Sequence, residues 1–573
     1  MLENDGSVIS HIRREKLRPI LLWSATTLLC YAFSVLVDFV ADDWYFVLAA
    51  GTNLANGFDL SFTPGERVNA FTSPLNTLLT SLLVAISGND QPTTALWLHR
   101  LLSASSLGVA VILLNGLARR YRFPHWAGAL LCFALMLDGR ILGSVTSGTS
   151  SGFVLLFVSL ALRIHVIPLH QPWLWLGPSW GGLILAQPIA GWFAFVLALA
   201  FLLYMPGAAT GINRGAVIRN YLRAVGLAVL VVTPWMVWAL FNLGSAIPLA
   251  ELCETRRILT STDLSTLGYQ LITFPLNCIS GGTSLDQIIA PAIALDADDW
   301  PAHAVVLGRM IGLVACFHWL NPFGSRFGRS ISLATCVAAF VLDRPDSESA
   351  MATTLPFILL SWISLSAACS DALKLAERLE TSPQSTTWAA GVRGFTGLVI
   401  CLSLMVSALT TKGLQARQIF INQGTLNSVG HWLNDNAKPL ESVFLAQSGQ
   451  VGYLSKLDLH DYPGMSSWQV MMHRQQLAAT DGYYRAWSRL TPAQIIALGR
   501  KLEADWIVLR PSNAIGLHLH DSSFLADYKQ EVIFTRIAEI EQAEWIPGRR
   551  HLNRDATRII YRRRDTADES AAK

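Results

Sequence analysis

Ala41-Asp42-Asp43-Trp44-Tyr45, with the chain that follows it through Pro64-Gly65-Glu66-Arg67-Val68 to Phe71-Thr72-Ser73-Pro74-Leu75, decides how this sequence is read. It comes directly after an apolar run, near residues 20–40, that is long enough to span a bilayer. Two adjacent carboxylates at the mouth of a membrane helix are costly and need a reason. A lone Asp42 would simply end the helix in the headgroup region. A pair followed by a loop of aromatics, Gly and Asn points toward chemistry.

The composition sets the solvent. Of 573 residues, 52% are hydrophobic and only 14% charged, against about 25% charged in a soluble protein. Mean hydropathy is +0.39. The chain is therefore expected to be a polytopic membrane protein with the lipid bilayer as its partner. The net charge of +3 is spread among loops and implies no nucleic acid partner. His11 to Arg18 is basic, and no small-residue cleavage site precedes the Asp pair. The first span thus reads as a signal anchor with a cytoplasmic N-terminus. Of the eight cysteines, six fall in or at the ends of apolar runs, where a thiol is an ordinary small apolar group. Cys253 and Cys278 share one outer loop. A disulfide there suits an oxidising compartment, but spacing leaves the pairing open.

Further apolar runs lie near 73–87, 97–117, 124–138, 149–167, 173–187, 190–206, 224–242, 303–320, 329–343, 351–369 and 391–411. Lys and Arg in the short loops set the orientation. Residues 1–18 are cytoplasmic, and 19–412 form the membrane domain. Arg119-Arg120-Tyr121-Arg122, Arg163, Arg214 to Arg223, Arg326/Arg329 and Lys374/Arg378 face the same side as the N-terminus. That requires 73–117 to cross an odd number of times, so one of its two runs is partial or re-entrant. About eleven crossings result. The first outer loop, 41–72, the long loop, 243–302, and the C-terminal part all face outward. Beyond 412 the pattern changes to short alternating runs. Ser442–Ala446, Trp506–Arg510 and Arg558–Arg562 read as strands, and Thr491-Pro492 opens a helix. Residues 413–564 are expected to form an extracytoplasmic α/β domain, with a disordered tail over 565–573.

The order DDWYFVLAAGTNLANGFDLSFTPGERVNAFTSPL resembles the first outer loop of the GT-C superfamily of membrane glycosyltransferases. Its nearest branch is similar to the mycobacterial terminal arabinofuranosyltransferases. Asp42, Asp43, Asn53, Leu54, Gly57, Pro64, Gly65, Glu66, Arg67, Val68, Thr72, Ser73, Pro74 and Leu75 carry the likeness. The resemblance implies a mostly α membrane core of GT-C type followed by the outer α/β domain. It also implies transfer of a sugar from a polyprenyl-phosphate carrier to an envelope glycan, lipid or protein acceptor outside the cytoplasmic membrane. Such a reaction needs a base, and Asp42 is expected to supply it, with Asp43 positioning the acceptor hydroxyl or Asp42 itself. Arg67, Arg256, Arg257 and Arg344 are the outer-face candidates for the leaving phosphate. Glu66 belongs to the same loop motif, and Trp44 beside the pair is placed to stack on a sugar ring. A lone Asp pair without His or a third carboxylate is a thin metal site. No cofactor is expected, and a divalent metal is left open.

The sequence also departs from that pattern. Ser147-Gly148-Thr149-Ser150 keeps Ser-Gly but lacks the Glu that usually follows. Gln187-Pro188-Ile189 stands for Arg-Pro-Glu, and Met351 stands about where an Arg is expected. The alternative reading is therefore a catalytically degenerate scaffold or partner subunit of an envelope-assembly complex. A transporter is disfavoured because no second matching half is visible. A nucleotide-sugar enzyme is disfavoured because the first outer loop has no Gly-rich phosphate cradle.

Overall fold

The computed structural model describes residues 5–88, 91–166, 170–204, 214–248, 273–274, 302–342, 350–378, 383–446, 449–462, 464, 466–481, 490–543 and 552–564. Its N-terminal part is a layer of helices: α1 (Asp5–Val37), α2 (Asp42–Ala55), α3 (Pro74–Ser87), α4 (Pro92–Arg120), α5 (His125–Leu137), α6 (Gly139–Thr146), α7 (Ser151–Val166), α8 (Trp173–Ala186), α9 (Gly191–Leu203), α10 (Arg214–Leu243), α11 (Ala302–Phe317), α12 (Arg326–Leu342), α13 (Ala350–Arg378) and α14 (Pro383–Ala416). Among the described residues, five stretches are long and apolar enough to cross a membrane, and a sixth if α5 and α6, bent by 40° at Asp138, count as one. One continuous core runs through them, from Cys30 and Leu107 through Leu155 and Leu183 to Ile331, Ile363 and Leu414.

Charge sorts the two ends of this layer. At one end Lys374 donates to the Tyr121 carbonyl at 2.6 Å, next to Arg119, Arg120 and Arg122. Arg329 lies over the Tyr204 ring there and donates to the Trp319 carbonyl. At the other end buried Arg100 ties three elements together. Its guanidinium pairs with Asp38 at 2.7 Å and donates to the carbonyls of Phe39 and Thr146. Helix α3 stays at this second end. Its Asn76 donates to the Gly148 carbonyl, and its Leu83 and Val84 pack with Val40, Leu48 and Ala95. Lys374, Arg329 and Arg119 to Arg122 gather at that first end, and α4 is long and apolar enough to cross a membrane, whereas α3 is a shorter apolar helix.

Helix α14 continues into a π-helical segment, Arg417–Leu426, and α15 (Asn427–Asn436) leads into the C-terminal domain. That domain contains β1 (Ser442–Leu445), α16 (Gly449–Ser455), β2 (Asp458–Asp461), α17 (Trp468–Asp481), α18 (Pro492–Leu502), β3 (Trp506–Leu509), α19 (Pro511–His520), β4 (Tyr528–Thr535), α20 (Ile537–Gln542) and β5 (Thr557–Arg563). The sheet order is β2-β1-β3-β5-β4. β1 is parallel to β2 and β3, whereas β5 is antiparallel to β3 and β4. Alternation along the strands splits the core in two. Val443, Leu445, Trp506 and Val508 face one side, Phe444, Ile507 and Leu509 the other. Thr491 and Gln494 form the capping box that starts α18.

The sheet does not float free. Phe46 and Ala49 of α2 and Phe62 of the first loop enter its first core, beside Val443, Val451 and Leu459. Burying each Phe there stabilises the docked domain by about 2 kcal/mol. At the other face of the loop, the Asn69 amide donates to the Ser245 carbonyl just beyond α10. Removing the Arg100 guanidinium would orphan two buried carbonyls and the Asp38 carboxylate. Arg100→Met is expected to lower stability by about 3 kcal/mol, near the low end for a broken buried pair because Asp38 stays partly solvated. A fall in the thermal midpoint of the detergent-solubilised protein checks this.

Candidate active site

Helix α2 opens on Asp42 and Asp43, so both carboxylates sit in its positively polarised first turn. The preceding residue, Ala41, is extended and donates its N–H to the Ser147 carbonyl. This brings Ser147-Gly148 against Trp44. Gly148 has φ +89°, and a Cβ there would lie 2.8 Å from the indole, so only glycine fits the turn.

Asp42 is held from the C-terminal domain. Its two carboxylate oxygens accept the N–H groups of Gly449 at 3.1 Å and Gln450 at 2.7 Å. These are the first residues of α16, the helix that follows β1. A Cβ on Gly449 would stand 2.4 Å from the Asp42 carbonyl oxygen, so the approach requires glycine. The π-helical segment closes the same joint. Gln418 accepts the Val40 N–H, Asn422 donates to the Val40 carbonyl, and Gln450 donates to the Asn422 carbonyl. An open α/β sheet binds ligands beyond the carboxyl ends of its parallel strands, where the strand order reverses. Here that reversal lies between β1 and β3, and the helix N-terminus beside it holds a carboxylate of the same chain.

The two carboxyls differ in state. Burial pushes Asp42 up from its ordinary value, and the two N–H bonds, then Arg417 and Arg558, draw it back down. Asp43 has no hydrogen bond or ion pair among the described residues. Crowding by the surrounding protein and the adjacent charge of Asp42 push its carboxyl up to about 6, although the side chain remains exposed. Each Asp42 oxygen thus accepts one backbone N–H from the C-terminal domain, whereas Asp43 accepts none among the described residues. The expected order of roles is the reverse of what this geometry favours.

Three arginines that spacing gave no means of grouping meet nearby. Arg510 pairs with Asp555 at 2.8 Å, Arg558 at 3.3 Å and Arg417 at 3.9 Å. Three guanidiniums share one carboxylate, and the Arg510 Nε is buried without a hydrogen-bond partner among the described residues. These residues come from the π-helical segment, the residue after β3, and β5, so only the fold unites them. Arg510 and Gly449 both follow parallel strands and flank the strand-order reversal.

The other expected site residues are placed as follows. Trp44 is 2% exposed, packed on Gly148 and 5.3 Å from the His99 ring, so it has no free face for a sugar. Its role is to seat the Asp pair. Glu66 is half-buried, accepts the Trp468 N–H at 3.4 Å, and faces the charges of Asp458 and Asp461. Burial and those charges push it up to about 8. Arg67 is exposed. Arg256, Arg257 and Arg344 lie outside the described residues, as do Cys253, Cys278 and nearly all of the 243–302 loop. Where a Glu was expected, Ser150 is buried, beside a hydroxyl cluster in which Thr149 meets Ser147 and Ser151. No group of His, Cys, Asp and Glu among the described residues is arranged to hold a metal. A cavity of about 550 Å³ lies at the opposite end, against His318, Ala372 and Trp388, remote from this chemistry.

Residues 415–557 match a family described as a domain of unknown function, DUF8728. No curated protein matches the sequence. The fold is similar to that of the oligosaccharyltransferase of Archaeoglobus fulgidus. One structure is of the archaeal oligosaccharyltransferase AglB in complex with an inhibitory peptide and a dolichol-phosphate, at 12% identity, covering 91% of this chain and 73% of that one, with a TM-score of 0.52. An apo structure of the Archaeoglobus fulgidus oligosaccharyltransferase matches at 12% identity and TM-score 0.54, over 91% and 74% of the two chains. ArnT from Cupriavidus metallidurans bound to undecaprenyl phosphate is aligned over 95% and 98%, at 12% identity and TM-score 0.48.

Two predictions follow from the joint between loop and domain. Gly449→Ala forces a methyl into the Asp42 backbone and should destabilise the joint by about 1–3 kcal/mol. Faster proteolytic cleavage between the helix layer and the C-terminal domain reports it. Glu66 is held above its ordinary value of 4.5. The stability it contributes is therefore fully present below that pH and is lost as pH rises through about 8. Glu66→Gln should remove this part of the pH dependence, measured as thermal midpoints from about pH 5 to pH 9.

Proposed function

We propose that this chain is an integral membrane glycosyltransferase of the GT-C type. It would move a sugar from a polyprenyl-phosphate carrier to an envelope glycan, lipid or protein acceptor on the extracytoplasmic face of the cytoplasmic membrane. The fold shared with oligosaccharyltransferase structures supports the class, and the first-loop motif favours the arabinofuranosyltransferase-like branch. The layer would cross the membrane eleven times: α1, α4, the bent pair α5–α6, and α7 to α14, leaving α2 and α3 on the outer surface. The end that carries Arg119 to Arg122 and Lys374 would then be cytoplasmic.

The observation that carries the reading is the unpaired Asp43 carboxyl, raised to about 6, next to an Asp42 locked by the outer domain. In the reaction, Asp43 takes the proton of the acceptor hydroxyl. The hydroxyl oxygen bonds to the anomeric carbon of the donor sugar, and the bond from that carbon to the phosphate oxygen breaks. The polyprenyl phosphate leaves with the electron pair. Negative charge grows on the phosphate, and the arginines around Asp555 supply an excess of positive charge for it. Arg67, exposed at the loop, is a second source, and Arg256, Arg257 and Arg344 remain candidates from the long loop and the segment after α12.

Asp43→Asn should lower transfer from a polyprenyl-phosphate sugar by about 10²–10⁴-fold without loss of folded protein. Asp42→Asn should instead reduce the yield of folded chain. In the wild type, kcat/KM should rise with pH up to about 6 and then level off. Full activity in Asp43→Asn removes the base. A deletion strain with unchanged envelope glycans, and no turnover with any polyprenyl-phosphate sugar, returns the protein to the scaffold reading.

A further inference from the structure

At the end of the helix layer opposite the Asp pair, α1, α4 and α7 enclose a cavity of about 160 Å³. It is lined by Arg18, Asn115, Arg119 and Arg163 on its polar side and by Pro19, Leu22, Ile112, Leu113 and Gly116 on the rest. Three guanidiniums from three different helices converge on it. Arg163 lies flat against α4 because residue 116 is glycine: a Cβ there would be 3.1 Å from Arg163 Nη1. That Nη1 is buried and has no hydrogen-bond partner among the described residues. Arg120 stands close enough to act on Arg163 with a further positive charge. Neither Arg18 nor Arg163 has a carboxylate partner among the described residues. A buried guanidinium N–H left unmade beside like charges is costly unless an anion completes it.

We propose that this cavity is a phosphate-binding site, with Arg163 as the inner ligand and Arg18 and Arg119 closing over the anion. Size limits the guest. Small-molecule sites usually need about 300 Å³ or more, so a nucleotide or a sugar ring is excluded and a single phosphate group with its ester carbons is admitted. Guanidiniums in a fork suit phosphate oxygens. The apolar half of the lining comes from α1 and α4, both long and apolar enough to span a bilayer. Such a lining suits the phosphodiester of an anionic phospholipid, and free phosphate offers the same oxygens without the apolar part. The site is independent of the sugar-transfer chemistry at the other end.

The test uses the full chain in detergent after delipidation. Phosphatidylglycerol, phosphatidylcholine and inorganic phosphate are titrated separately, with the thermal midpoint and native mass spectrometry as readouts. Phosphatidylglycerol should raise the midpoint saturably and remain as a one-to-one adduct. Arg163→Gln should weaken this roughly tenfold or more, as loss of a charge-assisted bond requires. Arg18→Gln, at an exposed position where folding is not at stake, should weaken it in the same direction. Saturable stabilisation by inorganic phosphate with no lipid adduct, lost in Arg163→Gln, supports the site and assigns it to the free anion. Equal effects of phosphatidylcholine, or titrations unchanged in both variants, overturn the proposal.

Discussion

The joint on which the rest depends is the Asp42 carboxylate, in the first turn of α2, set on the N-terminus of α16 in the C-terminal domain. Asp42 accepts from Gly449 and Gln450, and the partial positive charge of that helix end favours the anion. Because the carboxylate is crowded by protein, an unpaired Asp42 would be expensive. The bond therefore fixes where the C-terminal sheet must sit. Everything that surrounds the Asp pair from that side follows: Phe46 and Phe62 in the sheet core, the π-helical segment with Gln418 and Asn422, and the arginines around Asp555.

Holding one carboxylate has an electrostatic effect on the next. The two N–H bonds favour the Asp42 anion against the effect of its burial, and a charge on Asp42 raises the adjacent Asp43. Neighbouring acids with different partners are pushed into different tasks, one structural and one open to proton transfer. The arginine cluster provides the opposite sign a short way off, on residues that belong to the outer domain. The Asp pair and the arginine cluster are then brought together only when the domain is docked. The α16 N-terminus, which a free α/β domain would offer to an anionic ligand, is already filled by Asp42.

The two ends of the helix layer use cations differently. At the Asp-pair end Arg100 is buried and saturated by Asp38 and two carbonyls, and its work is to lock α1, α4 and α6. At the opposite end the arginines of α1, α4 and α7 surround a small cavity with one guanidinium N–H unmade. The same residue type closes a structure in one place and leaves an opening for an anion in the other. The difference is that Arg100 has a carboxylate partner, whereas Arg163 has none among the described residues.

By itself the sequence determined a great deal that rests on local pattern. Hydropathy located the helices, the Lys and Arg positions grouped one end, and period-two alternation located β1, β3 and β5. The Thr491-Pro492 start of α18 was equally legible, and Asp42-Asp43 stood out as a candidate pair. It could not divide labour within the pair, because neighbouring aspartates look alike until their partners are known. Asp42 meets Gly449 across some four hundred residues, and Arg417, Arg510 and Arg558 converge on Asp555 from separate elements. Trp44 shows the same limit from the other side: its place beside the pair suggested a sugar platform, and packing on Gly148 and His99 made it a support. Periodicity is a short-range property and survives in one dimension, whereas charge pairing and burial depend on distance in three, which only the tertiary fold decides.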